Sequence, residues 1–215
     1  MKQILWCLLL VTGACFSQTK EQEKPGSEYD GVAGSPYLLK DWVNGTVYYK
    51  NGRVVTQFKL RFDCPRNYLQ MEFKGQTFSP QTSSITSFVL YPKNSKDSMV
   101  FRKGYPVSGA YNAETFYQVL TNGKASLLYI LSKTIVEDKD ILPSSTKRFF
   151  EEEDEFFLFS NGSITKLIRN DREKLAAQFP AQQAALLKFM EDEEMKMRSA
   201  EDFIKFTAKY NELNP

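Results

Sequence analysis

The chain contains no histidine, and this absence excludes more chemistry than any residue present suggests. Nucleophiles activated by imidazole, histidine general bases and HExxH zinc sites all need a side chain that the protein lacks. Carboxylates, lysines, tyrosines and one cysteine of the folded region remain. Asp63, Glu72 and Glu114 fall in or near β-like sequence, and a glycosidase would need two such acids about 5 to 10 Å apart with split pKa values. Alternation instead places Asp63 and Glu72 on a solvent face. The run Glu151-Glu152-Glu153-Asp154-Glu155, flanked by phenylalanine pairs, offers hard oxygen ligands for Ca²⁺ but lacks the glycine and spaced ligands of a calcium loop. It is predicted to be a solvated hairpin tip, and residues 191–194 a charged helix end.

Cys64 precedes Pro65 with no CxxC partner and no histidine to activate it, so an inert thiol is expected. Tyr48, Tyr49, Tyr68, Tyr91, Tyr105, Tyr111 and Tyr117 could stack on sugars or grip a peptide if they shared a wet face. Aromatic residues also favour strands on packing grounds alone. Asn44-Gly45-Thr46 and Asn161-Gly162-Ser163 match the N-glycosylation pattern but read as turns, while Asp97-Ser98-Met99 resembles a short O-glycosylation pattern in a loop. These patterns call for no catalytic residue, metal ligand or cofactor.

The elements that would position these groups are legible over residues 34–78. Asn51-Gly52 marks a type I′ hairpin. After it Val54, Thr56, Phe58, Leu60 and Phe62 alternate with polar residues as one inward face. A turn at Cys64-Pro65-Arg66-Asn67 leads to Leu69, Met71 and Phe73 inward, with Gln70, Glu72 and Lys74 outward. Residues 84–91 and 99–103 read as strands, and residues 116–136 as a hairpin about Asn122-Gly123. Another break covers residues 137–140 and Leu142-Pro143-Ser144-Ser145. Beyond it 147–151 pairs with 155–159, and Asn161-Gly162 turns into 163–168. Such spacing predicts an antiparallel meander, curved or closed as a partial barrel.

At Asn170 the period changes to that of helices. Asn170 with Glu173 reads as a capping box ahead of Leu175, Ala176 and Phe179, and Pro180 as the first turn of a second helix. In that helix Ala184, Leu187 and either Met190 or Glu191 share one side, Leu186, Phe189 and Met190 another. Ser199 caps a third, with Phe203, Ile204, Phe206, Thr207 and Tyr210 along it. The fold class is therefore α+β: an antiparallel β-domain over 35–169 and a helical segment over 170–215 packed on it.

The 215 residues carry 28 Lys and Arg against 26 Asp and Glu, and a formal charge of +2 gives no field for steering a nucleic acid. Residues 1–17, MKQILWCLLLVTGACFS, have the lysine, short apolar run and small residues of a signal peptide. The mature chain is then expected from Gln18, with a polar disordered leader to Gly34. Thr12-Gly13-Ala14 before Cys15 offers a lipobox as the alternative, with membrane contact only through a lipid on that cysteine. The stretch GSPYLLKDWVNGTVYYKNGRV, the CFSQ cleavage region and the tail NDREKLAAQFPAQQAALLKFMEDEEMKMRSAEDFIKFTAKYNEL resemble uncharacterised small secreted proteins of Bacteroidota. The resemblance implies export in a Gram-negative cell, to the periplasm or beyond, and carries no activity. The expected role is non-catalytic binding or assembly in the envelope, with a protein or glycan partner. The alternatives are a carrier of a small hydrophobic ligand inside the curved sheet and a carboxylate-dependent glycan hydrolase.

Overall fold

A computed structural model of the chain describes residues 27–93, 95–139 and 146–214. The expected signal peptide, Cys15, most of the leader, Asp140 and Leu142-Pro143-Ser144-Ser145 lie outside these residues. The chain forms two units, Met1–Asp30 and Gly31–Pro215. In the first, Ser27–Tyr29 make a 3-10 turn.

The second unit carries the fold, a mainly antiparallel sheet with three helices at its C-terminal end. Its strands are β1 (Val32–Ala33), β2 (Val43–Tyr49), β3 (Val54–Val55), β4 (Lys59–Asp63), β5 (Tyr68–Phe73), β6 (Gln76–Phe78), β7 (Ile85–Tyr91), β8 (Met99–Arg102), β9 (Tyr117–Thr121), β10 (Ala125–Lys139), β11 (Thr146–Ser160) and β12 (Ser163–Lys166). Spatial order is β1-β11-β10-β9-β8-β7-β2-β4-β5-β6, with β12 added to β11 and β3 to β2. The sheet is not closed, so β6 remains an edge. Among the described residues only β1 runs parallel to its neighbour, pairing Val32 with Arg148 and Ala33 with Phe149. Those two residues fall within the expected leader and are ordered by sheet pairing.

The inward phase predicted for residues 54–62 is broken. Val47 pairs with Val55 but Val43 with Leu60, a register shift of one residue across 56–58. The extra residue reverses the alternation, so Val55 is buried and Val54 exposed. Asn44-Gly45-Thr46 lies inside β2 and not in a turn. A Cβ on Gly45 would stand 2.3 Å from Leu60 Cδ1 and 2.5 Å from the Val89 carbonyl oxygen, so glycine here permits close strand approach.

The largest departure concerns the acidic run. The predicted tip at 151–155 is the middle of β11, which pairs with β10 in continuous register from Ala125↔Ser160 to Lys139↔Thr146. The run survives as strand because its cross-strand partners accept it: Lys133 stands opposite Glu152, Thr134 opposite Glu151 and Ser132 opposite Glu153.

Three helices follow, α1 (Arg172–Ala177), α2 (Gln183–Asp192) and α3 (Ala200–Leu213). Asp171, not Asn170, caps α1, accepting from the Lys174 amide at 2.9 Å. Asn170 is left-handed (φ 61°) and accepts from Arg198 Nε. Pro180 lies in the turn before α2, whose cap is Gln182 and whose buried residues are Leu186 and Met190. Ser199 and Asp202 form a complete capping box on α3. Leu175, Leu186, Met190, Phe203 and Phe206 cover Leu127, Phe156 and Leu158 of the β10–β11 hairpin as one core. A second core joins Phe62, Phe88, Phe101 and Phe116 beneath β2, β4, β5, β7 and β8. The opposite face of β10 and β11, carrying Leu128, Ile130 and Phe157, is covered by Tyr105, Tyr111 and Tyr117. Among the described residues no helix is long and apolar enough to cross a membrane.

Candidate functional site

The candidate acids do not converge. Asp63 is 1% exposed, against the expected solvent position, because its carboxylate accepts from the Arg66 amide and closes the β4–β5 turn. Glu72 pairs with Lys59 and accepts from the Gly75 amide. Lys59 stands opposite Glu72 while Asp63 stands opposite Tyr68, so the two acids are separated along the ladder by about 13 Å of strand rise. Glu114 binds Lys103 in the loop before β9. Gln70 and Phe73 also depart from their predicted faces. Gln70 is buried and accepts from Arg61, whose guanidinium lies 3.5 Å over the Tyr37 ring and 4.3 Å over Trp42; Phe73 is 37% exposed. The tyrosines form no common platform: Tyr48 and Tyr91 are exposed, whereas Tyr105 and Tyr117 are buried.

Polar side chains instead concentrate along β11, where alternation sends neighbouring acids to opposite faces. On one face Lys133 is the organising group. Its ammonium reaches Glu152 at 2.7 Å, the Ser35 carbonyl at 3.0 Å and the Tyr37 carbonyl at 3.1 Å, filling all three donor positions. Farther along that face Tyr129 donates to Asp154 at 2.5 Å, and Arg169 holds the Asp154 carbonyl at 2.9 Å and the Arg198 carbonyl at 2.7 Å. On the other face Glu155, nearly buried, accepts from both the Tyr111 hydroxyl and Lys166. No three ligating side chains of the described residues gather to hold a metal ion, a consequence of this alternation.

Pairing on the outer edge of β11 is interrupted. β1 covers Arg148 and Phe149, and β12 begins at Phe157, with the Leu167 amide reaching the Phe156 carbonyl. Beside the end of β12 lies a notch of about 340 Å³ bounded by Glu153, Asp154, Phe156, Lys166, Ile168 and Arg169. Among the described residues the side chains under the sheet pack closely: the space among Phe62, Cys64, Phe101, Phe116, Tyr129 and Leu131 amounts to about 10 Å³, at the lower limit for one water. A wider polar cleft of about 660 Å³ lies beside the start of α1. Two of its charged groups are engaged, Arg172 on the Met190 carbonyl and Arg198 on Asn170.

Sequence patterning passed over Lys133, Lys166, Arg169 and Tyr129. A signal for Lys133 existed: Leu127, Tyr129 and Leu131 set an inward phase of two that ends on it, so a lysine at that position must be neutralised inside. No family model, curated protein or solved structure matches the chain.

Burial holds Tyr111 and Tyr129 above the ordinary tyrosine range, and their hydrogen bonds to Glu155 and Asp154 raise them further. Burial, followed by the nearby Glu155 charge, pushes Tyr117 up to about 12; burial also pushes the Cys64 thiol up to about 12. These are acids that stay neutral longer in the folded state. Above the unfolded values, about 8.5 for cysteine and about 10 for tyrosine, the unfolded chain releases protons that the native chain keeps. Stability is therefore expected to fall with rising pH from about 9 upward, steepening through the tyrosine range. Absorbance titration at 295 nm should show these tyrosines ionising together with unfolding monitored by circular dichroism. A smooth titration of every tyrosine near its ordinary value in folded protein would contradict the assignment.

Proposed function

We propose that the chain is an exported, non-catalytic domain of a bacterial envelope that works in binding or assembly through its outer surface. The observation that carries this reading is the close packing under the sheet. A site for a small molecule ordinarily offers about 300–1,000 Å³, whereas the space inside the sheet is about 10 Å³. The small space argues against the carrier reading, which remains the second. The glycan-hydrolase reading stands third, because Asp63, Glu72 and Glu114 are each engaged in separate structural contacts. Export rests on the pattern of residues 1–17, and anchoring on Cys15.

The test is to express the full chain in a Gram-negative host and fractionate the cells. Recovery in the periplasm or medium with the first seventeen residues removed is expected. Labelling by palmitate that disappears in Cys15→Ser would move the protein to a lipid-anchored form of the same reading. A full-length chain retained in the cytoplasm would overturn export. Turnover of a glycan that Glu72→Gln or Glu114→Gln abolishes in folded protein would overturn the non-catalytic assignment.

A further inference from the structure

We infer that the interrupted outer edge of β11 is a docking site for a short extended segment of another protein, bearing lysine or arginine at alternate positions and added as an extra strand. The inference deepens the outer-surface reading proposed above and rests on it, but not on export. The Leu167 amide bonds the Phe156 carbonyl and Arg169 bonds the Asp154 carbonyl, so even-numbered residues of β11 direct their main-chain groups outward. Glu152 follows in the same phase. Among the described residues its amide and carbonyl, and the amide of Asp154, have no main-chain partner. The unpaired stretch is closed by β1 at one end and by Leu167 and Arg169 at the other. From Glu152 to Asp154 it accommodates about three residues of strand, or roughly 10 Å. An added strand would meet a ready template of donors and acceptors there, as peptides do at other open sheet edges.

Charge selects the occupant. Glu152, Asp154 and Glu155 are matched by Lys133, Arg169 and Lys166. Glu151 and Glu153, both exposed, stand opposite Thr134 and Ser132, and neither has a cationic partner among the described residues. They are two residues apart on one strand and so project from the same face. A strand laid beside them presents its own alternate side chains to the same face, so cations at positions i and i+2 would meet the two carboxylates. A second copy of this edge would set glutamate against glutamate, and the same argument disfavours pairing of the chain with itself.

The probe is a fluorescently labelled peptide of about ten residues alternating lysine with threonine, titrated into the purified chain and read by anisotropy. Three comparison peptides are used: one with its lysines consecutive, one with glutamate replacing lysine, and one N-methylated at alternate amides. The alternating-lysine peptide should bind, and N-methylation should weaken it about tenfold, the equivalent of roughly one to two lost hydrogen bonds. The consecutive-lysine peptide should also be weaker and the glutamate peptide should not bind. The double variant Glu151→Lys, Glu153→Lys should lose binding about tenfold or more, while Glu191→Lys, Glu194→Lys at the end of α2 should retain it. Circular dichroism confirms that both variants fold. Binding insensitive to N-methylation, or equal losses in both double variants, would reduce the effect to general attraction and overturn the inference, as would no binding. A dimer in sedimentation analysis that Glu151→Lys dissociates would assign the edge to a second copy and overturn it as well. Failure here in a correctly exported chain removes this edge, not the broader reading; cytoplasmic retention removes export and leaves the peptide result standing.

Discussion

Phe203→Ala is expected to lower the stability of the fold by about 3–5 kcal/mol, the usual cost of deleting a fully buried phenylalanine. Phe203 is 0% exposed, and its ring stacks on Phe156 at 4.3 Å with 19° between the planes. The residue lies where α3 meets the β10–β11 hairpin, beside Leu127, Leu158 and Phe206. Truncation leaves a cavity that neither a capped helix nor a long ladder can close by a small shift, so the loss should include a cavity cost beyond transfer of the ring. Urea unfolding followed by far-ultraviolet circular dichroism should show a lower midpoint with an unchanged slope. Ile204→Ala on the same helix, at a position 37% exposed, should cost less than about 1 kcal/mol. Equal effects at the two positions would show that α3 is not held by the face containing Phe203.

Lys133→Met should cost about 2–4 kcal/mol, because methionine retains the apolar stem while removing a charged donor from two carbonyls and a carboxylate. The partners decide where the damage appears. Ser35 and Tyr37 belong to the segment that crosses from β1 to β4, where the Cys64 amide bonds the Pro36 carbonyl and the Leu38 amide bonds the Phe62 carbonyl. Without the ammonium this segment should open before the rest of the molecule. Native Cys64, buried and held protonated, should react with a thiol reagent only on opening. In Lys133→Met its labelling rate should rise more than the loss of global stability explains. A rise matching global unfolding alone would mean that Lys133 stabilises the whole sheet and not this crossing.

The acidic edge shows how far one-dimensional patterning reaches. Five consecutive acids between phenylalanine pairs read naturally as a solvated tip, since charge repulsion and low strand propensity both oppose a ladder. The prediction failed because cross-strand neighbours are not visible along one strand: Lys133, Thr134 and Ser132 become opposite partners only after β10 and β11 pair. Likewise, a polar face for Asp63 was reasonable by alternation, but the residue closes a turn and is buried for that purpose.

Local physics determined much of this protein from the sequence alone. Asn51-Gly52, Asn122-Gly123 and Asn161-Gly162 marked the reversals, although left-handed backbone occurs only at Gly52, Asn161 and Gly162 and the first turn is not the type I′ expected; apolar phases of two and about 3.6 separated sheet from helix; and the lack of histidine removed whole classes of catalysis. Tertiary structure alone decided the one-residue shift after β3, the joining of 151–155 into a single strand, the close packing under the sheet and the gap between β1 and β12. Each of these depends on which distant segment lies alongside. Pairing energies between residues far apart in the chain choose among registers that local propensity leaves nearly equal.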